Sequence, residues 1–341
     1  MSDSLLAFLS KNGCINGRLK SARAACLCAF SRGGVLYQQL RLDQFDAEFS
    51  ARARPEDWAL LTELRDHPRF LHGIAAYNDL IPAVFANNII LNKVVTEISR
   101  IQTIVFTLHL HDTAKADDPT TGLTLSRLQK LCLKFDLASS GGVAAFIGLM
   151  TIAGYLSRQR SALDRRIVHF VPTEKFIEVV ERWTQQVLQS VDAIEPEERL
   201  AQHHIAHPRF GWDMREGGAQ RLLGGWQPLG PFPEVTHFLN CQGGWMLMGR
   251  CIAEMLRQGG RKEIVPVSVD LGAFGKSYGV SRTHLRRMLE AAHEQGLLDA
   301  PPKNGSRVLL SPRLLAAWLA AQAGELATYR RSAHLARAAL G

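Results

Sequence analysis

The feature that most constrains this chain is an approximate internal repeat. With Ser139 set against Ser281, Val143 meets Leu285, Phe146 meets Met288, Ile147 meets Leu289, Gly154 meets Gly296 and Leu156 meets Leu298. A serine caps the free N–H groups of a first helical turn. An apolar stripe follows at the fourth, seventh, eighth and eleventh places, and a glycine able to take left-handed backbone closes the segment. The same helix is therefore predicted twice. Ahead of each serine, Leu125 to Lys134 and Val269 to Lys276 read as supporting helices, with Leu128, Leu131, Leu271 and Phe274 inward. The joints are the short turns Asp136-Leu137-Ala138 and Tyr278-Gly279-Val280.

Behind each predicted helix lies a basic stretch with hairpin signals. It runs from Ser157 through Arg158, Arg160, Arg165 and Arg166 to Val171 in the first copy, and from Pro302 to Leu310 in the second. There, Asn304-Gly305 is a favoured tight turn. A capped helix then closes each copy. One opens at Thr173, with Phe176, Val179, Val180, Trp183 and Val187 on one side. The other opens at Ser311-Pro312, with Leu314, Leu315, Trp318 and Leu319 on one face. Helix, turn, helix and basic ribbon in this order predict a winged helix-turn-helix unit. The fold class expected is thus mainly α with small β wings: two such units and a helical N-terminal region.

Charge follows the repeat. The 341-residue chain carries a formal +8, and the excess is concentrated: net +5 over residues 121–170 and +4 over 261–313, against +1 over 1–85. Basic stretches of this kind favour a polyanionic partner.

The residues also resemble a known family. Asp164-Arg165-Arg166 with Val171-Pro172-Thr173-Glu174-Lys175 is similar to the wing and following helix start of MarR-type regulators. Gly279-Val280-Ser281-Arg282-Thr283-His284-Leu285 resembles the turn and recognition helix of bacterial winged-helix regulators generally. The resemblance covers roughly 86–183 and 240–320. It departs from MarR proteins in placing two units in one polypeptide, and it leaves 1–85 unexplained. In that family two subunits pair through terminal helices. The resemblance therefore implies a chain that mimics the dimer internally, with a homo-oligomer left open beside it.

A recognition helix enters the major groove by its N-terminal end. On the second copy Arg282, Thr283, Arg286 and Arg287 fall on or beside the outer face. Arg282 and Arg286 are the expected base readers, since arginine binds guanine O6 and N7 together. Lys276, His284 and the capping Ser281 are expected at phosphates, as are Lys303, Asn304 and Arg307 of the second wing. The first copy offers Ser139, Ser140 and Gly141, whose N–H groups suit a phosphate. Its cationic groups are Arg158, Arg160, Arg165 and Arg166. The expectation is a double-stranded DNA-binding transcription regulator reading two unequal half-sites. Two other readings stay open: a plasmid-type replication initiator with two winged helices, and a winged-helix protein-interaction module. The sequence names no effector.

The division expected is 1–85 as an N-terminal helical region, 86–190 as the first unit, 191–238 as an irregular linker and 239–341 as the second unit with a C-terminal helix. Residues 86–110 read as one long helix, because Ile89, Val94, Ile98, Ile101, Val105 and Leu108 recur at helical spacing. No apolar run approaches the ~20 residues of a membrane span, and Leu5 to Leu9 is too short for a signal-peptide core. A soluble, cytoplasmic protein is expected. Six scattered cysteines, Cys26 and Cys28 among them, read as packed thiols rather than a disulfide framework or zinc site. His203 and His207 have i, i+4 spacing but lack the glutamate of a metalloprotease helix. No nucleophile stands at a recognisable spacing from a base, so neither an enzyme nor a cofactor is expected.

Overall fold

A computed structural model describes residues 37, 40–95, 97–227, 229–258, 263–300 and 307–340. Within them the chain is mainly helical, with fifteen α-helices and two small two-stranded sheets. In the first half the helices are α1 (Asp46–Arg52), α2 (Pro55–Arg65), α3 (Phe70–Phe85), α4 (Ile89–Val94), α5 (Ile98–Asp112), α6 (Leu125–Lys134) and α7 (Ser140–Ile152). Strands β1 (Leu156–Arg160) and β2 (Val168–Pro172) follow, then α8 (Glu174–Ile194). The second half runs α9 (Leu200–Ala206), α10 (Pro208–Leu223), α11 (Pro233–Leu239), α12 (Gly244–Arg257), β3 (Val267–Ser268), α13 (Leu271–Tyr278), α14 (Arg282–Glu294), β4 (Arg307–Val308) and α15 (Pro312–Ala339).

The halves repeat one another further than the sequence suggests. From α3 to α8 the helix lengths are 16, 6, 15, 10, 13 and 21 residues, and from α10 to α15 they are 16, 7, 14, 8, 13 and 28. Corresponding hydrogen bonds recur. Leu137 N–H donates to Cys132 O at 2.8 Å, as Val280 N–H does to Gly275 O at 2.9 Å. Tyr155 N–H reaches Met150 O and Leu297 N–H reaches Ala292 O, both at 2.9 Å, behind Gly154 (φ 74°) and Gly296 (φ 71°). Thr173 N–H donates to Tyr155 O at 2.9 Å, and Ser311 N–H to Leu297 O at 3.1 Å. Each bond closes a helix end or ties the last helix back to the start of the hairpin, satisfying groups that a helix terminus leaves free.

The sheets share this plan. β1 pairs antiparallel with β2 from Leu156↔Pro172 to Arg160↔Val168, and Phe170 N–H donates to Leu123 O at 2.9 Å on the other side. In the second half β3 pairs with β4, and Leu298 bridges Leu310 beyond it. In both cases the later strand of the pair also makes backbone contact on its far side.

Packing between the halves is reciprocal. α3 lies along α8, and α10 along α15; α5 packs on α10, and α12 on α3; α2 packs on α15, and α9 on α8. α8 and α15 meet each other, with Trp183 Nε1 donating to Tyr329 Oη at 2.9 Å. Each half thus completes its core with helices of the other. The seam is polar as well as apolar: His109 Nδ1 lies 2.9 Å from Glu216, Arg215 pairs with Asp112 at 3.2 Å, and Arg257 pairs with Asp79.

Several expectations change. The long helix over 86–110 is two helices, α4 and α5, because β-branched Val94 and Val95 hold helix weakly and Glu97 is extended. Residues 191–238, expected to be an irregular linker, are mostly helical. Pro208 and Pro233 there open helices rather than breaking them. Gly217 sits inside α10 facing Ser332 of α15, where an added Cβ would come 3.4 Å from the hydroxyl oxygen, an ordinary contact distance. α15 is buried on nearly every side instead of along one face, with Ala316, Ala317, Trp318 and Ala320 as enclosed as Leu315. The second supporting helix is Leu271–Tyr278, two residues later than expected. Thr173 stands at the N-cap of α8, but its hydroxyl donates to Gly154 O at 2.7 Å instead of capping. Residues 1–36, with Cys14, Cys26 and Cys28, lie outside the described residues.

Gly275 gives the second helix pair a sharp test. A Cβ there would stand 2.3 Å from the carbonyl oxygen of Val280, a backbone atom of the residue whose own N–H is tied to Gly275 O. Gly275→Ala is expected to destabilise the protein by about 3 kcal/mol through overpacking, read as a shifted midpoint in chemical denaturation. A cost within error of zero would show that the turn gives way freely.

Candidate nucleic-acid interface

Capping and burial fix both outer helices. Ser139 Oγ accepts from Gly142 N–H, and Ser281 Oγ from His284 N–H, each at 3.1 Å. Val143, Phe146, Ile147 and Met150 are buried beneath α7, and Leu285, Met288, Leu289 and Ala292 beneath α14. The opposite faces are consequently turned to solvent. On α14 Ser281, Arg282, Thr283, Arg286 and Arg287 are exposed, with Lys276 exposed on the neighbouring α13. Arg286 Nε lies 3.4 Å from Glu290, one turn on, an exposed pair of little strength. Ahead of them Asp270 caps α13, accepting from Gly272 and Ala273 N–H at 2.8 and 2.9 Å. The N–H of Ala273, then that of Gly272, hold its carboxyl below the usual range.

The outer face of α7 differs. Ser139, Ser140, Gly141, Ala144 and Ala145 are exposed and uncharged, and Ile152 at its end is 88% exposed. A Cβ added to Gly141 or Gly148 meets nothing within 4 Å. The fold therefore imposes no glycine there, and the helix forgoes about 1 kcal/mol at each relative to alanine.

Charge on this side comes from the β1–β2 hairpin, where Arg158, Arg160, Arg165 and Arg166 are all exposed. Arg158 rests over the Phe170 ring at 6.0 Å, which steadies the root of the hairpin. Of the second basic stretch, Arg307 in β4 is exposed, while Lys303 and Asn304 lie outside the described residues.

His284 does not present itself as expected. It is half-buried, and its Nε2 is out of solvent with no hydrogen-bond partner among the described residues, so this atom cannot meet a surface phosphate. Helix α4 packs on both α7 and α13. Asn87 N–H donates to Ser277 O at 2.8 Å, Asn92 Nδ2 to Tyr278 O at 3.1 Å, and Asn88 Nδ2 lies 3.5 Å from Tyr155 Oη. These bonds join the end of α13 to the base of the first hairpin.

Compared with protein-family models, curated proteins and solved structures, the chain matches none of them. The site therefore rests on its own geometry.

Other candidate chemistry is confined by packing. His203 and His207 stack at 6.1 Å between ring centroids, and no group of three His, Cys, Asp or Glu side chains is arranged for a metal among the described residues. Burial pushes the Cys251 thiol up to about 12, leaving it inert. A cavity of about 150 Å³ between α2 and the α10–α11 connection is walled by Arg54, Arg221 and Trp226. Its arginines are engaged: both pair with Asp57 at 2.7 Å, and Arg221 lies over Trp226. No helix is long and apolar enough to cross a membrane among the described residues.

Two residues escaped the sequence reading. Leu163 stands 63% exposed between the two arginine pairs of the first hairpin. Arg250 is exposed on α12, close enough to the Asp270 cap to lower its affinity for a proton. The first was hidden because an apolar residue in a loop gives no periodic signal; the second because its helix packs elsewhere.

Proposed function

We propose that this chain is a double-stranded DNA-binding transcription regulator whose halves are winged helix-turn-helix units, joined as an internal pseudo-dimer of MarR-like plan. One observation carries the reading: matched terminal hydrogen bonds and strand order recur in both halves, and each half lends helices to the other's core. In each unit an N-capped helix presents its free face to solvent beside a hairpin, the arrangement that lets a rod enter the major groove while a ribbon follows phosphates. Unit two supplies base reading through Arg282 and Arg286; unit one supplies affinity through the arginines of its wing.

The test is selection of duplexes from a random pool, followed by mobility shift and native mass spectrometry. The expected complex holds one chain per duplex, with two protected segments about one helical turn apart. With six to ten phosphate contacts, affinity falls by roughly 10³ to 10⁵ between 50 and 200 mM salt. Absence of a duplex complex at low salt would overturn the reading.

The uncharged face of α7, with Ile152 at its end, favours a second reading for unit one alone: a protein-docking surface. Gly148→Ala separates the two, since added bulk on this open face weakens whichever partner approaches it while the helix itself gains stability.

A further inference from the structure

The β1–β2 hairpin carries Arg158 and Arg160 on its first strand, and its loop sets one large apolar side chain, Leu163, ahead of Asp164, Arg165 and Arg166. Leu163 is 63% exposed there, although a single exposed leucine is by itself ordinary. What distinguishes this one is how the tip is held. Ser161 N–H donates to Ile167 O at 3.0 Å and closes the loop. Ser161 Oγ accepts from the N–H groups of Leu163 and Asp164 at 3.2 and 3.3 Å. Asp164 Oδ1 accepts from Arg166 N–H at 2.9 Å, and Asp164 O from Ile167 N–H at 3.0 Å. With its backbone fixed by these bonds, the tip carries leucine outward on an ordered turn, so little conformational entropy is left to lose on binding.

The flanks say what the leucine meets. Arg158 and Arg160 precede it, Arg165 and Arg166 follow it, and all four are exposed. Arginines are drawn to the negative potential of a narrow minor groove. An apolar side chain delivered between them reaches base steps, where insertion partly unstacks a step and kinks the duplex.

We infer that Leu163 is a minor-groove wedge: the first wing enters the groove between its arginine pairs, and Leu163 opens a base step and bends the DNA. This rests on the DNA-binding reading proposed above. It assigns the first unit a task that its uncharged α7 leaves vacant, which is recognition through deformability rather than base edges.

The experiment uses the full chain and a duplex recovered from the random pool, labelled at both ends for energy transfer and carrying 2-aminopurine at successive A·T positions of the wing-side half. The wild-type chain raises end-to-end transfer and brightens 2-aminopurine at one step. Leu163→Ala and Leu163→Asn lose most of both signals while affinity changes by less than about fivefold, since unstacking cost and added contact largely offset. A wild-type complex with straight, stacked DNA overturns the wedge and leaves DNA binding standing. So does an alanine variant that bends the duplex as the wild type does. If no duplex complex forms, while vesicles containing phosphatidylserine capture the wild type and not Leu163→Ala, the DNA reading and the wedge both fall.

Discussion

Replacing Arg282 and Arg286 together by alanine is expected to abolish sequence preference and to weaken binding to the selected duplex by roughly 100-fold or more, at about 1–3 kcal/mol per bidentate guanine contact. The physical grounds are local. Both side chains are exposed at the N-terminal end of α14, and the opposite face of that helix is locked by Leu285, Met288, Leu289 and Ala292. Their removal costs the fold little, because among the described residues it gives up the exposed contact of Arg286 with Glu290 and the attraction of Arg282 for the Asp270 carboxylate at the surface. Circular dichroism and the denaturation midpoint should stay at wild-type values while the mobility shift is lost. Lys276→Ala is the control: as a phosphate contact it lowers affinity for all duplexes alike and reduces the salt slope by about one. Unchanged affinity in the double variant would move the function to a protein partner.

How far the sequence led depends on the kind of information each element carries. The outer helices were legible because cap, apolar stripe and terminal glycine are local signals, and all three recur: Ser139 with Gly154, Ser281 with Gly296. The supporting helix Leu125–Lys134 was legible to the residue for the same reason. The second was displaced because Asp270, not an earlier residue, provides its cap through two backbone bonds. Helices α9 to α11 fall where the sequence predicts an irregular linker, because their glycines and prolines give no helical signal. Pro208 and Pro233 stand at first helical turns, and Gly217 fits against Ser332 from the far end of the chain. Sequence spacing cannot announce such a contact. The reciprocal exchange of helices was likewise hidden, since it depends on pairs such as Asn78 and Gln322, whose amides bond each other at 3.2 and 2.8 Å.

The interface divides the same way. Periodicity alone puts the arginines of α14 on its outer face, and all three are exposed. His284 is half-buried with its Nε2 enclosed, because a residue three places past the cap sits where the helix turns partly inward. The bareness of α7 was visible as composition, but its meaning came from space: Gly141 and Gly148 have none of the neighbours that usually force glycine.

The second large effect is a dependence of stability on pH, set by Glu325. This carboxyl lies in the seam between the halves, where Tyr77 Oη of α3 donates to its Oε2 at 2.7 Å. Around it stand Tyr329 of α15, bonded by Trp183 of α8, and Trp245 of α12, whose ring meets Tyr77 edge-on at 6.3 Å. Burial pushes the Glu325 carboxyl up to about 7 from its ordinary 4.5, a rise the Tyr77 hydrogen bond only partly opposes. Burial also raises Tyr77 and Tyr329, so both hydroxyls stay protonated throughout and Glu325 is the group that titrates. In the unfolded chain the carboxyl ionises from about pH 4.5, whereas in the folded chain it stays neutral until about 7. Ionisation therefore favours the unfolded state across that window. Stability is greatest below it, falls as pH rises through it, and levels off above, for a total of about 3 kcal/mol. Glu325→Gln keeps an acceptor for Tyr77 and removes the charge. Chemical denaturation at pH 5 and pH 8 should find the variant close to wild type at the lower pH and about 2–3 kcal/mol more stable at the higher. Histidines and surface carboxylates common to both proteins cancel in the difference. Parallel profiles for the two proteins would mean that the seam already admits water to Glu325, and that the halves are held together less tightly than their packing implies.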